Sequence, residues 1–334
     1  MGMGEGERVG LQALTDLCTP WCVHVVATLR IADHIANGIT AIDDLAAAAD
    51  CDSDSLSRVL RHLVGKGVFE EPVPGRFALN DVAQELRDHA QRPWLDLDGI
   101  GGRMAYAWSS LLTAVRTGKS AYHEVFGRSF WEDLDAHPDV AASFDALMGP
   151  SGHGRPNPDV LIAGGWELVR TVVDVGGGSG ALLAEILRAH PTIQGILVDL
   201  PRTVARSREI FQAAGVADRV TTLGQNFFDP LPVGADLYLL KNVLADWPDS
   251  EAPALLRRCA EAARPNGRVI ILGGVSPDEP GGPSPELLML VLVGGKGRSL
   301  AEFRDLAGRA GLQIAAAGWL QSGRFAVECR PVGG

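Results

Sequence analysis

The sequence predicts an α/β protein in which a mainly helical N-terminal part precedes a doubly wound parallel sheet. Over residues 171–272, short apolar runs alternate with amphipathic stretches, the pattern of strands and helices in such a sheet. A glycine-rich turn joins the first of these strands to its helix. Before residue 160, apolar side chains recur mainly at helical spacing. We therefore divide the chain into three parts, 1–92, 93–160 and 161–334.

Composition narrows the class of protein. The chain has 334 residues and a net charge of −11, which argues against a nucleic acid or an anionic membrane as a partner. Its longest uninterrupted apolar run, Leu287 to Val293, is far too short to span a bilayer. Residues 1–10 lack the basic and apolar regions of a signal peptide. We expect a cytoplasmic protein.

The cysteines predict neither disulfides nor a metal site. There are five, scattered along the chain, and an odd number does not form a disulfide framework. Cys18 and Cys22 lie one helical turn apart, but neither this pair nor any other has the spacing of a zinc site. We expect the cysteines to be core residues.

The N-terminal part has the pattern of a winged helix. Apolar residues repeat at helical spacing over 11–31, and a helix–turn–helix pattern then leads into a hairpin at 68–79. A winged helix binds either DNA or another protein chain. Basic residues are too few on its second helix to favour DNA: Asp52 and Asp54 oppose Arg58, Arg61 and His62. The apolar surface of 11–31 exceeds what a small domain can bury alone, so we expect an obligate dimer.

The segment from 93 to 160 is predicted to be a second helical block, rich in aromatic residues. It ends in Gly149–Pro158, where glycine, proline and serine predict a linker.

The glycine-rich turn predicts a ligand site. Val172–Val175 is a short buried strand, and Gly176, Gly178 and Gly180 follow it at alternate positions before a helix. Glycine allows positive φ and close approach of the backbone to a ligand, and a helix N-terminus offers free N–H groups. Asp199 ends the next strand, where a carboxylate can accept both hydroxyls of a ribose.

The glycine-rich sequence also matches the loose fingerprint of dinucleotide-binding proteins, and it is consistent with a tight turn that binds no ligand. Asp174, two residues before the first glycine, favours S-adenosylmethionine (SAM) instead. Further motifs follow in order along the chain: Asp174–Gly180, Asp199, Asn226–Pro232, Lys241–Trp247 and Gly294–Ser299. Together they resemble the plant-type and antibiotic-pathway small-molecule O-methyltransferases.

This resemblance covers nearly the whole chain. It implies a Rossmann-like class I methyltransferase domain over 161–334, a winged-helix dimerisation domain over 1–92 and a helical linker and substrate lid over 93–160. It further implies an intertwined homodimer, SAM as cofactor and a small aromatic substrate.

The resemblance also implies individual residues. The methionine part of SAM would face three glycines of the turn, Gly176, Gly178 and Gly180. Asp174, just before the turn, also belongs to the cofactor site, and Asp199 would face the ribose. Asn226 and Phe227 would face the adenine, although Phe227 is also consistent with plain core. Lys241 would lie near the cofactor, and Trp247 would close the adenine side. Asn242 would hydrogen-bond either the acceptor or the SAM carboxylate. The positions that wall the acceptor pocket, each equally consistent with core, are Trp108, Phe144, Met148, Met289 and Leu292.

The catalytic residues of the family are missing. Where the family has its general base, a histidine before an Asp-Trp pair, this chain has Ala245. Two glutamates orient that histidine, and Gly273 and Gly297 stand in their places. A general base contributes about 10²–10⁴-fold to a rate, and its loss matters least for an acceptor that is already electron-rich.

We therefore expect C-methylation of an activated ring carbon, as in the 3-hydroxyanthranilate C-methyltransferases that the chain resembles. O-methylation with another base stays an alternative. Possible acid–base groups are His153, His123 and Asp246. His153 could instead be an exposed histidine of the linker and His123 a surface histidine, and Asp246 could simply hold its loop. Two other classes remain: a SAM-binding enzyme that no longer methylates, and a winged-helix regulator.

Overall fold

The computed structural model describes residues 10–89, 91–148, 156–277 and 286–333. The chain folds into two compact units, one ending at Ala105 and the other beginning at Tyr106. The three-part division at 92/93 and 160/161 stays a prediction.

The first unit is helical with one hairpin. Helices α4 and α5 followed by the strands β1 and β2 give the predicted winged-helix order. The strands pair antiparallel with Phe69 opposite Leu79, and Asp52 caps α5 by accepting from the Ser55 amide. The elements are α1 Leu11–Leu14, α2 Cys18–Thr28, α3 Ile31–Ala36, α4 Ile42–Ala48, α5 Ser53–Gly65, β1 Phe69–Val73, β2 Arg76–Leu79, α6 Asp81–Glu85, α7 Arg92–Leu95 and α8 Ile100–Ala107, which crosses the division.

Short helices open the second unit. Phe130 lies at the centre of an aromatic cluster, edge-on to Tyr122, Trp131 and Phe144. The buried Tyr122 hydroxyl donates to Asp133 at 2.8 Å. These helices are α9 Leu111–Thr117, α10 Tyr122–Phe126, α11 Phe130–Ala136 and α12 Pro138–Met148.

A seven-stranded sheet follows, in the order β10-β11-β7-β6-β3-β4-β5. Its strands are β3 Thr171–Val175, β4 Gln194–Asp199, β5 Val220–Gly224, β6 Leu237–Lys241, β7 Arg268–Leu272, β10 Leu312–Trp319 and β11 Phe325–Pro331. The short β8 Val275–Ser276 pairs with β9 Arg298–Ser299. The helices are α13 Ala181–Ala189, α14 Pro201–Ala213, α15 Ala252–Ala262, α16 Glu286–Val293 and α17 Leu300–Arg309.

The strands β3 to β7 are parallel, as predicted, whereas β11 runs antiparallel to β7 and to β10. After β3 the chain builds β4 and β5 on one side, and then β6 and β7 on the other. The order therefore reverses between β3 and β6. At such a switch point the loops after the strands diverge and leave a crevice, which is where α/β sheets bind ligands.

Alternating side chains of β3 point to opposite faces of this sheet. Val173 and Val175 pack in the core beneath α15 and α17. Val172 packs in the core beneath α13 and α14, and alternation places Asp174 on this same face. The carboxyl group of Asp174 therefore lies on the face of the sheet that α13 and α14 cover. Across the described residues, no helix is both long and apolar enough for a transmembrane span.

The exposed leucines at the N-terminus generate a prediction about assembly. Leu11, Leu14 and Leu17 are 77%, 68% and 75% exposed, and burial of a leucine contributes about 1.5–3 kcal/mol. We expect light scattering to show a dimer at micromolar concentration. Replacing all three by serine should raise the dissociation constant by about a hundredfold or more. The control Leu168→Ser/Val233→Ser, at exposed positions of the other unit, should leave it unchanged; a wild-type monomer would contradict the prediction.

Candidate functional site

The turn from β3 to α13 is built from closely packed glycines. Gly176 has φ 68°, and its amide donates to Val198 O at 2.8 Å. A Cβ at Gly176 would lie 2.7 Å from Val243 Cγ2. Gly180 has φ 78° and would bring a Cβ into the ring of Phe211. Both the backbone conformation and the lack of space require glycine here.

Asp174 is a buried carboxyl under this turn. It is 1% exposed, and burial raises its pKa to about 7; Lys241 opposes the shift and Asp199 adds to it. Oδ2 has no hydrogen-bond partner among the described residues. A Cβ at Gly177 would lie 2.5 Å from that oxygen. A buried acceptor without a donor, next to a glycine turn, fits a ligand ammonium group such as that of SAM.

Asp199 is tied to the same turn from the end of β4. Its Oδ2 accepts from the Gly178 amide at 2.8 Å and its Oδ1 from the Leu200 amide at 2.7 Å. Burial raises its pKa, and hydrogen bonds from these amides and from Thr203 oppose the rise. The half-buried carboxylate is therefore held in one orientation beside the glycines. Its oxygens have further lone pairs for ribose hydroxyls.

Aromatic rings form the next wall of the site. The Phe227 ring lies 5.8 Å from that of Trp247 and 5.4 Å from that of Phe228. Its Cε1 lies 3.4 Å from the Cβ position of Gly176, so Phe227 faces the turn. Asn226 is exposed, and its Oδ1 accepts from the Phe228 amide at 3.0 Å. Since this hydrogen bond uses the amide oxygen, the NH2 group of Asn226 is available to donate to an adenine ring.

Lys241 ends β6 on the same face as Asp174. Burial and the nearby Arg324 lower its pKa, while Asp174 opposes the shift. The side chain lines a crevice together with Leu182, Leu272 and Arg324. Lys241 thus compensates part of the negative charge of Asp174.

Arg298 holds the loop that follows β6. The side chain is 2% exposed and donates to Leu244 O at 3.1 Å, Trp247 O at 2.7 Å and Lys296 O at 3.2 Å. Its Nε donates to Asp249 Oδ1 at 2.9 Å. One buried cation therefore fixes both ends of the segment that carries Asp246 and Trp247.

The places of the missing family residues are tightly packed. A Cβ at Gly274 would lie 2.9 Å from Ala245 Cβ. A Cβ at Gly273 would collide with Oδ1 of Asn242, which takes the left-handed φ of 57°. With Asn242 in this position, a glutamate has no room at 273. The packing at Gly273 and Gly274 is therefore coupled to Asn242 and Ala245.

Asp246 lies in the 3-10 turn Leu244–Asp246, next to Ala245. Burial raises its pKa to about 7, and none of the described residues donates a hydrogen bond to its carboxyl group. The residue is nevertheless only half-buried, so part of it stays accessible to solvent. A carboxyl with a pKa near neutrality can accept a proton at physiological pH.

The other predicted site residues that the structure describes lie on α10, α12 and α16 or directly after α8. His153 lies outside the described residues. His123 is exposed on α10 and Met148 on α12, whereas Phe144 and Met289 are half-buried and Leu292 is buried. Trp108 is 41% exposed. Their roles as catalytic or pocket residues stay predictions.

Sequence reasoning missed Gly177 and Arg298. Both lie inside motifs that were recognised, but their roles depend on Asp174 and on carbonyls of another loop. The sequence does offer a sign for Gly177, because it lies between Gly176 and Gly178, which were predicted to face the cofactor. For Arg298 the sequence offers no signal beyond the motif itself.

The fold and the site together define a class: a SAM-dependent methyltransferase with a Rossmann-like domain. Residues 108–313 match the O-methyltransferase domain, and residues 11–87 match the O-methyltransferase dimerisation domain. The chain belongs to this O-methyltransferase family, and its cofactor is SAM.

Individual relatives are similar along nearly the full length. The chain is 45% identical over 320 residues to 2,7-dihydroxy-5-methyl-1-naphthoate 7-O-methyltransferase of Streptomyces carzinostaticus, covering 94% of this chain and 96% of that protein. It is 40% identical to aclacinomycin 10-hydroxylase RdmB of Streptomyces purpurascens, covering 91% and 84%. The crystal structure of NcsB1, an O-methyltransferase from neocarzinostatin biosynthesis, in complex with S-adenosyl-L-homocysteine and 1,4-dihydroxy-2-naphthoic acid superimposes with a TM-score of 0.90 at 42% identity, covering 98% and 100%.

Asp199 generates a prediction about cofactor affinity. Asp199→Ala removes the charged acceptor for the ribose hydroxyls, and we expect SAM binding to weaken by about 1–3 kcal/mol. Calorimetry with SAM and with S-adenosyl-L-homocysteine measures the change. The exposed Asp229→Ala serves as the control and should bind normally. Unchanged affinity in the Asp199 variant would remove this residue from the site.

Arg298 generates a prediction about the loop. Arg298→Met leaves three carbonyls and a carboxylate without their donor, and we expect the free energy of unfolding to fall by about 3 kcal/mol or more. Because the loop carries Trp247, SAM affinity should fall as well. Denaturant unfolding and calorimetry measure the two effects. Arg304→Met, at an exposed position on α17, is the control, and equal stability of both variants would contradict this account.

Proposed function

We propose that the protein methylates a phenolic hydroxyl group of a hydroxylated, naphthoate-type aromatic acid in antibiotic biosynthesis. Support comes from the 45% identical relative, whose name is that of a naphthoate 7-O-methyltransferase. The similar NcsB1 structure contains 1,4-dihydroxy-2-naphthoic acid and belongs to neocarzinostatin biosynthesis. The aromatic and apolar side chains predicted to wall the acceptor pocket suit a flat bicyclic ring.

The proposal rests mainly on one observation: Asp246 is half-buried and its carboxyl group has a raised pKa. It stands directly after Ala245, the position at which the family has its base, and burial raises its pKa to about 7. In the ionised form it takes the proton of the acceptor hydroxyl as the oxygen becomes bonded to the methyl carbon. Asn242, exposed directly after β6, would hydrogen-bond the acceptor in this proposal.

Other residues hold the cofactor in place. Asp174 would accept a hydrogen bond from the ammonium group of SAM, Asp199 would accept from the ribose hydroxyls, and Phe227 would contact the adenine ring. When bound, SAM supplies a methyl group on a positively charged sulfur. The protein contributes mainly alignment and exclusion of water, and alignment of reactants can contribute about 7–11 kcal/mol.

C-methylation is the second candidate, and the absence of the family base favours it. Ala245, Gly273 and Gly297 leave no imidazole with orienting carboxylates. An electron-rich ring carbon, next to a hydroxyl or amino group as in 3-hydroxyanthranilate, needs less help from a base. In this case Asp246 polarises the neighbouring hydroxyl.

Hydroxylation without methyl transfer is the third candidate. It is supported by a relative that is 40% identical to this chain and is named aclacinomycin 10-hydroxylase. SAM would then be bound but not consumed, and molecular oxygen with a two-electron reductant would supply the added oxygen atom.

Product analysis separates the three candidates. The protein is incubated with carbon-13 methyl-labelled SAM and with 2-hydroxy-5-methyl naphthoic acid or 1,4-dihydroxy-2-naphthoic acid, and products are read by carbon NMR and mass spectrometry. A labelled methoxy group supports the proposal. A labelled aryl methyl group supports C-methylation instead, and an unlabelled product with one added oxygen supports hydroxylation.

Asp246 generates a prediction about pH. The base acts only when ionised, so kcat/KM should rise as pH increases through about 7, the pKa of Asp246, and level off above it. Asp246→Asn should lower kcat by about 10²–10⁴-fold and abolish this pH dependence. SAM affinity by calorimetry should change little. The exposed Asp218→Asn is the control; full activity of the Asp246 variant would exclude it as the base.

A further inference from the structure

Two cysteines and a histidine meet in the N-terminal unit. Cys18 and Cys22 lie on successive turns of α2, and their Sγ atoms are 3.8 Å apart. His62 lies on α5, which packs against α2. The two sulfurs and a nitrogen of the His62 ring all lie within 4.8 Å of one another.

Neighbouring polar groups hold this cluster in position. The Thr19 hydroxyl donates to Asp16 Oδ2 at 2.6 Å and contacts His62 Nε2 at 2.8 Å. Because a hydroxyl has one proton to donate, it accepts from His62 Nε2–H. In the neutral ring the lone pair is then on Nδ1, and a neutral ring is the form that binds metals.

Asp16 is itself fixed on both sides. It accepts from the backbone amides of Cys18 at 2.9 Å and Thr19 at 3.1 Å, and from Lys66 Nζ at 2.9 Å. The carboxylate thus orients the start of α2, which carries both thiols, against α5. This arrangement supplies the hydrogen-bonded surroundings that metal-binding histidines usually have.

We propose that Cys18, Cys22 and His62 bind a zinc ion. Zn–S bonds of about 2.3 Å in a tetrahedral site place two thiolate sulfurs about 3.8 Å apart, the separation found here. Zn–N bonds of about 2.0–2.1 Å place the nitrogen about 3.6 Å from each sulfur, so the histidine ring has to move by no more than about 1.2 Å. Cys18 is exposed, so the ion enters from solvent and a water molecule is the fourth ligand.

The chemistry of binding balances without a redox partner. Two S–H bonds break and two Zn–S bonds form, and both protons pass to solvent. Zinc keeps its charge throughout. The ion joins α2 to α5, and therefore links the helix after the exposed leucines to the core of the first unit. Zinc here is structural in effect and takes no part in methyl transfer.

Cadmium tests the site directly, because cadmium bound to thiolates gives an ultraviolet charge-transfer band. The full chain, free of any histidine tag and kept reduced, is stripped with a chelator and titrated with cadmium and, separately, with zinc. We expect one cadmium per chain, a band that zinc displaces, and a melting temperature that rises until one equivalent of zinc is added.

Variants identify the ligands. Cys18→Ser and His62→Gln should each weaken zinc binding by about tenfold or more, and Cys18→Ser should remove about half of the cadmium band. Cys51→Ser changes another cysteine of the same unit and should behave as the wild type. Circular dichroism and SAM affinity check that every variant is folded.

The proposal is overturned if the wild type gives no thiolate band, or if Cys51→Ser loses the band as much as Cys18→Ser does. It is equally overturned if His62→Gln binds zinc with wild-type affinity. None of these outcomes depends on methyl transfer, so failure of the proposed function would leave the zinc test intact.

Discussion

The site depends on the buried guanidinium of Arg298. The segment after β6 carries Asn242, Asp246 and Trp247, yet its only regular structure is a three-residue 3-10 turn. Such a turn has few hydrogen bonds of its own. Three hydrogen bonds donated by Arg298, to Leu244 O, Trp247 O and Asp249 Oδ1, replace them, and they connect the segment to β9. A planar group with five donors suits this task in a way that a lysine ammonium does not.

Charge is the second constraint on the site. Asp174 and Asp199 lie at the ends of neighbouring strands, and burial raises the pKa of both carboxyl groups. The charge of Asp199 raises the pKa of Asp174 further, and Lys241 offsets this only in part. A ligand with an ammonium group and a positively charged sulfur relieves the same repulsion. The preference for a cationic cofactor therefore follows from the two carboxyl groups that the strand ends bring together.

Local patterns predicted most of the second unit. The strand, glycine turn and helix from Val172 to His190 depend on neighbours in sequence, and the structure confirms them. The antiparallel direction of β11 and the hydrogen bonds of Arg298 were not predicted, because they join residues far apart in the chain. Arg298 and Asp249 are 49 positions apart, and Thr19 and His62 are 43. The proposed zinc site was missed for this reason: a spacing rule finds ligands that are close in sequence, whereas helix packing supplies His62.

The loss of the family base is best understood through backbone packing. At 273 and 274 glycines with φ of 79° and 75° pass beside Asn242 and Ala245. A residue with a side chain is strained at such positive φ values and would also displace the Asn242 amide. The alanine at 245, the two glycines and the left-handed Asn242 thus support one another. Under the proposed function, the proton passes to a group outside this packed set, and we propose Asp246, half-buried and one residue further on, for this role.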